Sequence, residues 1–168
     1  MKKIGIFYGS STGNTEKIAD LIKNAFGEDI ATTINVEDAQ LKDLEKFPYL
    51  VFGTSTWGIG DMQDDWEDFI EVVEKVNLRD KKVALFGLGD QEIYTDSFAD
   101  GLAKIYKKIA GRTTIVGAWP NEGYLFDESE ALKDGKFIGL IIDEDNQTKL
   151  TVERVTKWVE ELKKEFVQ

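Results

Sequence analysis

The chain has 168 residues, a formal charge of −11 and an apolar share of 42%, which suits one domain, residues 1–168, with a sizeable core and a well-solvated surface. It contains neither Cys nor His, so thiolate nucleophiles, disulfides, imidazole bases and Cys/His metal cages are excluded, and no catalytic or metal-ligating set is expected. The negative charge argues against nucleic acid or an anionic membrane as partner and points to a basic protein.

Met1-Lys2-Lys3 leads directly into a short apolar strand at 4–8, without the longer apolar stretch and cleavage site of a secretory leader. No run approaches the roughly 18 apolar residues of a membrane span, so the expected location is the cytoplasm. After a polar loop, Ile18, Leu21, Ile22, Ala25 and Phe26 follow the spacing of a helix with one apolar face. Residues 30–36 alternate Thr32, Ile34 and Val36 with smaller or polar residues, as a half-exposed edge strand does. A continuous apolar run at 49–53 reads as a strand buried on both faces, and Trp66, Phe69, Ile70 and Val73 mark the next helix.

A strand at 83–88 is followed by a helix marked by Phe98, Leu102, Ile105 and Ile109, then by a strand at 114–117. Residues 118–137 hold Trp119, Pro120, Asn121, Gly123, Asp127 and Gly135 without periodicity and are expected to form a long loop. Its place before the apolar run at 137–142 suggests an insertion that splits or replaces part of the last strand. Val152, Val155, Val159, Leu162 and Phe166 close the chain with a helix. Strands alternating with helices imply βαβ units, and the predicted fold class is α/β, a three-layer sandwich around a five-stranded parallel sheet.

The loop Gly9-Ser10-Ser11-Thr12-Gly13-Asn14-Thr15 joins a strand to a helix at the edge of a parallel sheet where ligands bind. Hydroxyls, a glycine and free helix N–H groups together form an anion cradle. It lacks the Lys and spacing of a Walker loop, and no G-x-G-x-x-G is present, so a nucleoside triphosphate with Mg²⁺ fits poorly. One terminal phosphate on neutral donors fits well, although a polar turn with a helix cap would use the same residue types.

Taken with two further loops, these residues resemble the flavodoxin family, whose phosphate loop has the form Ser/Thr-x-Thr-Gly-x-Thr, here residues 10–15. The second loop is Gly53-Thr54-Ser55-Thr56-Trp57-Gly58-Ile59-Gly60-Asp61 and the third is Gly87-Leu88-Gly89-Asp90-Gln91-Glu92-Ile93-Tyr94. The resemblance covers the whole chain, and the 118–137 insertion resembles the loop that distinguishes long-chain members. It implies a flavodoxin-like strand order of 2-1-3-4-5, one non-covalent FMN, and a monomer that shuttles single electrons between redox proteins.

The cofactor-binding residues it implies are Ser10, Ser11, Thr12, Gly13, Asn14 and Thr15; Thr54, Ser55, Thr56, Trp57, Gly58, Ile59 and Gly60; and Leu88, Gly89, Asp90, Tyr94 and Ser97. Trp57 and Tyr94 sit in polar loops and could sandwich a flat ring, at roughly 0.5 to 1.5 kcal/mol per aromatic pair beyond burial. Gly58 tolerates positive φ, which would let the Gly58-Ile59 peptide turn a carbonyl toward a protonated flavin N5; a plain turn glycine is the alternative. Asp90 and its neighbours resemble contacts to the pyrimidine edge. Many relatives carry Pro where this chain has Ser55, a longer residue at Gly58 and a larger polar residue at Ser97, which blurs any forecast of potentials more than it affects binding.

Acidic residues gather at the same loops: Asp61, Asp64, Asp65, Glu67 and Asp68, then Asp90, Glu92 and Asp96, then Asp143, Glu144 and Asp145. A solvated surface would also contain such residues. As a set, each carboxylate at ~10 Å and an effective dielectric of about 40 disfavours a negative flavin by roughly 0.8 kcal/mol, on the order of 35 mV for one electron. A low-potential carrier is therefore expected, with basic redox proteins as its reductase and acceptor. An FMN-dependent quinone reductase of related fold is the alternative, but it needs a substrate pocket for which no added segment is evident. A phosphoryl-accepting receiver shares the strand order, yet it requires acidic residues where this chain has Gly9-Ser10 and Thr54.

Overall fold

The computed structural model describes residues 2–167. Strand β1 (Ile4–Tyr8) is buried throughout and pairs in parallel with β2 (Ala31–Asn35) on one side and β3 (Tyr49–Trp57) on the other. The short β4 (Asp61–Met62) turns back antiparallel on the end of β3, and β5 (Lys82–Leu88) pairs with β3 from Tyr49↔Lys82 to Ser55↔Leu88. The outer strand is divided: β6 (Thr114–Val116) pairs with Lys82 to Ala84 of β5, and β10 (Leu140–Ile142) with Phe86 to Leu88. Five strand positions result, in the spatial order β2-β1-β3-β5-(β6, β10), which is the expected 2-1-3-4-5 arrangement with its last member cut in two.

The cut is made by residues 118–137, which are more than the expected loop. They contain β7 (Trp119–Pro120), β8 (Leu132–Lys133) and β9 (Lys136–Phe137), a small antiparallel sheet in the order β7-β9-β8. These two-residue strands are too short to leave a periodic signal. Phe137, expected in the last strand, belongs to this sheet, and its fully buried ring packs against Phe98, Tyr124 and Phe126.

Helices cover both faces of the main sheet. Alternation along β1 sends Ile4, Ile6 and Tyr8 toward α1 (Asn14–Phe26) and α5 (Thr151–Phe166), while Phe7 faces α3 (Asp64–Lys75) and α4 (Asp100–Ile109). Ile18, Ile22 and Phe26 pack with Val155, Val159, Leu162 and Phe166 on the first face; Trp66, Phe69, Ile70 and Val73 pack with Leu102, Ile105 and Ile109 on the second. The chain also forms α2 (Leu41–Glu45), one turn that buries Leu44 and is held by Gln40 N–H donating to Asp43 Oδ2 at 2.8 Å; a single turn leaves no periodicity to read. Helix α4 starts later than Phe98 implies. The Phe98 N–H donates to Glu128 C=O at 3.2 Å and its carbonyl accepts from Ser129 Oγ, so the insertion captures the backbone groups that an earlier helical turn would use.

Candidate functional site

Three loops meet at the C-terminal edge of β1, β3 and β5 around a cleft of about 250 Å³. The first contributes Thr12, Asn14 and Thr15 to the wall. Gly13 sits before α1 at φ +95°, a left-handed conformation that a Cβ would strain although no neighbour crowds the position. Its N–H donates to Ser10 Oγ at 3.0 Å, which closes the loop. The helical ladder opens with Lys17 N–H donating to Gly13 C=O at 3.1 Å, so the N–H groups of Asn14, Thr15 and Glu16 precede the first intrahelical bond. These N–H groups and the hydroxyls of Thr12 and Thr15 form a cradle of neutral donors.

The second loop supplies Ser55, Thr56, Trp57 and Gly58 to the cleft. Residues 54–57, expected in a loop, are the end of β3, because β5 and β4 both pair with them. Thr54 is fully buried, its Oγ1 accepting from Gln63 N–H at 3.1 Å, and so it supports the loop from behind. Thr56 lines the cleft, and its Oγ1 accepts from Gly101 N–H at 3.0 Å. The Trp57 indole N–H donates to Ser55 Oγ at 2.7 Å, which fixes the ring while leaving it 41% exposed. Gly58 has φ +54°, which a plain turn glycine would also adopt, and Ile59 beyond it is 91% exposed.

The third loop brings Leu88, Gly89, Asp90 and Tyr94, the last half-exposed like Trp57. Asp90 Oδ1 accepts from Ile93 N–H, Glu92 N–H and Asn146 Nδ2 at 3.0, 3.1 and 2.8 Å. Partial burial pushes its carboxyl up, but the Ile93, Asn146 and Glu92 donors together outweigh that and hold it below the ordinary carboxylate range.

Of the residues the resemblance implied, Ser10, Ser11, Gly13, Thr54, Ile59, Gly60 and Ser97 lie outside the cleft wall. Ser11 Oγ accepts from Gln63 Nε2 at 3.1 Å, tying the first loop to α3, and Ser97 is buried beneath the third loop, its N–H donating to Tyr94 C=O. Two wall residues are additions, Glu144 and Asp145 after β10. Their place beyond the end of the last strand was the available signal, since that end opens on the same sheet edge. Burial raises the Glu144 carboxyl, but Lys17 and the hydroxyls of Thr151 and Thr148 bring it below its usual value. Asp145 is shifted upward, by burial first and then by Asp90, Asp143 and Glu144.

The donor set suits a monoester phosphate bearing a flat aromatic group. Neutral donors of the first loop and the rings of Trp57 and Tyr94 line one cleft, and among the described residues no Lys or Arg lines it. Among the described residues no cluster of three or more His, Cys, Asp or Glu is placed to hold a metal ion, and no helix is long and apolar enough to cross a membrane.

The fold and cleft define an α/β protein that binds a phosphorylated planar ligand at the edge of a parallel sheet. The family described as Flavodoxin matches residues 6–158, and the chain belongs to that family. It is 46% identical to a flavodoxin of Nostoc sp. over 166 residues, 98% of each chain, and 45% identical to one of Buchnera aphidicola over 164 residues, 96% of each. Among solved structures, the Fusobacterium nucleatum flavodoxin bound to flavin mononucleotide superposes with a TM-score of 0.93 at 36% identity, covering 99% of both chains.

Proposed function

We infer that this chain is an electron carrier that holds one FMN non-covalently in the cleft and exchanges single electrons with redox partner proteins. The observation that carries this is the pairing of a neutral phosphate cradle on α1 with the two aromatic rings of Trp57 and Tyr94 in one cleft. When bound, FMN supplies reversible one-electron chemistry that no side chain of this protein offers. The chain's own residues bind and tune. Thr12, Thr15 and the first N–H groups of α1 would hold the phosphate without a counter-cation, and Trp57 and Tyr94 would cover the ring and exclude water from it.

The Gly58 carbonyl would be the candidate acceptor for a proton at flavin N5, since a glycine, without Cβ, opposes neither orientation of that peptide, and Gly58 has φ +54°. Among the described residues, Asp90, Glu144 and Asp145 give the cleft wall three carboxylates and no cation, which disfavours negative charge on the ring and sets a low potential. The acidic surface attracts partners with a basic docking face, the chain acts as a monomer, and the cytoplasm is its setting.

The test is to add FMN to the apo-protein and follow fluorescence, then titrate the complex spectroelectrochemically. Near-complete quenching at one equivalent and two resolved one-electron steps are expected, with no turnover of NADH with a quinone. Reduction in one two-electron step would overturn the single-electron reading.

A further inference from the structure

Of the three carboxylates in the cleft, Glu144 is the one paired with α1, through Lys17. It lines the same wall as Thr12, Asn14 and Thr15, and its side chain is only 8% exposed. A carboxylate and a phosphate are both anions, and both are stabilised by the N–H groups at a helix N-terminus. Left free to turn, Glu144 would compete for the donors a phosphate needs.

Lys17, in the first turn of α1, prevents this. Its Nζ meets Glu144 Oε2 at 2.8 Å, and Lys17 itself is outside the cleft wall and 56% exposed. Thr151 Oγ1 donates to Oε1, and Thr148 Oγ1, which donates to the Glu144 backbone C=O at 2.8 Å, lies 3.3 Å from Oε2. The carboxylate is thus held by the Lys17 ammonium and the Thr151 hydroxyl, with the Thr148 hydroxyl beside it.

We propose that Lys17 is a positioning residue that keeps the Glu144 carboxylate off the phosphate cradle, and that this clasp sets how strongly the site prefers a flavin with a terminal phosphate over one without. The proposal rests on the FMN reading of the cleft. It concerns discrimination between two flavins that share the same ring. A clasp that merely stiffened the loops would affect both alike.

The experiment measures fluorescence quenching of FMN and of riboflavin by the apo-protein and by Lys17→Met, Lys17→Arg, Glu144→Gln and the Lys17→Met/Glu144→Gln double variant. Lys17→Met is expected to weaken FMN about fivefold and to leave riboflavin within about twofold, while Lys17→Arg stays close to the unmodified protein. In the Glu144→Gln background, Lys17→Met should change FMN affinity by less than about twofold, because no competing anion remains to be restrained. Equal losses for both flavins overturn the proposal, as does an undiminished FMN loss in the Glu144→Gln background, which would mean that Lys17 attracts the phosphate directly. Failure of the unmodified protein to bind either flavin overturns the FMN reading itself, whereas FMN binding with no split between the variants overturns the clasp alone.

Discussion

Tyr94 and Trp57 show how single side chains divide the work of the cleft. Both are half-exposed although each is large enough to be buried, and Trp57 alone is anchored, through Ser55 Oγ. An exposed aromatic of this kind has a ring face available to a ligand. Tyr94→Ala should therefore weaken FMN about tenfold, from lost stacking of roughly 0.5 to 1.5 kcal/mol plus lost burial, with protein stability almost unchanged. Flavin fluorescence titration combined with thermal melting of the apo-protein checks both parts. A fall in melting temperature matching the affinity loss would show that Tyr94 is a structural residue. Gly58 differs in kind. Its φ of +54° makes Gly58→Ala strained by roughly 1 to 2 kcal/mol, a cost visible in the apo-protein before any flavin is added.

Elements are secured at helix C-terminal ends, where carbonyls run short of intrahelical donors. Arg112, in the turn after α4, donates through one guanidinium nitrogen to Val73, Glu74 and Val76 C=O at 3.1, 3.2 and 2.9 Å, and through the other to Lys108 C=O at 3.0 Å. One planar fork thus closes the C-terminal ends of α3 and α4. Arg112→Ala should cost about 1.5 to 3 kcal/mol in urea unfolding of the apo-protein, and Arg112→Lys should recover little, because an ammonium cannot span both helix ends. The main elements were legible in the sequence because each carries a long signal: buried runs in β1, β3 and β5, and apolar stripes in α1, α3 and α5. Residues 118–137 were not, because long-range contacts order them. Tyr124 Oη donates to Ile141 C=O at 2.5 Å and accepts from Trp119 Nε1, Gln91 Oε1 accepts from Leu125 N–H, and Arg154 stacks on the Tyr124 ring. Apart from Trp119, five residues from Tyr124, those partners lie 17 to 34 positions away. The site divided in the same way: loop chemistry pointed to Thr12 and Thr15 and the family resemblance to Trp57 and Asp90, all of which line the cleft, whereas the approach of Glu144 to α1 depends on a contact across 127 positions.

At the scale of the molecule, a charge of −11 must be accommodated by a fold whose ion pairs are mostly exposed and individually weak. Asp145 is one cleft carboxylate at which that charge works against the folded state. Burial, followed by Asp90, Asp143 and Glu144, raises its folded pKa above the unfolded value. The folded state therefore binds this proton more tightly than the unfolded chain. The stability that binding contributes is complete below the unfolded pKa of about 3.9 and is lost as pH rises through the folded pKa, so at neutral pH the ionised carboxylate works against folding. Glu144 has the opposite sign: its lowered folded pKa contributes stability that is present at neutral pH and lost as pH falls through that value. Asp145→Asn should accordingly raise the melting temperature of the apo-protein at pH 7 and give no gain near pH 3, where both forms are neutral. In the FMN complex it should also make the potential for the second electron less negative by on the order of 20 to 35 mV, because one charge has been removed from the field around the ring. A gain in melting temperature equal at both pH values would assign the effect to packing. A potential unmoved at low salt would mean that solvent at this exposed position screens Asp145 from the flavin, leaving Asp90 and Glu144 to set it.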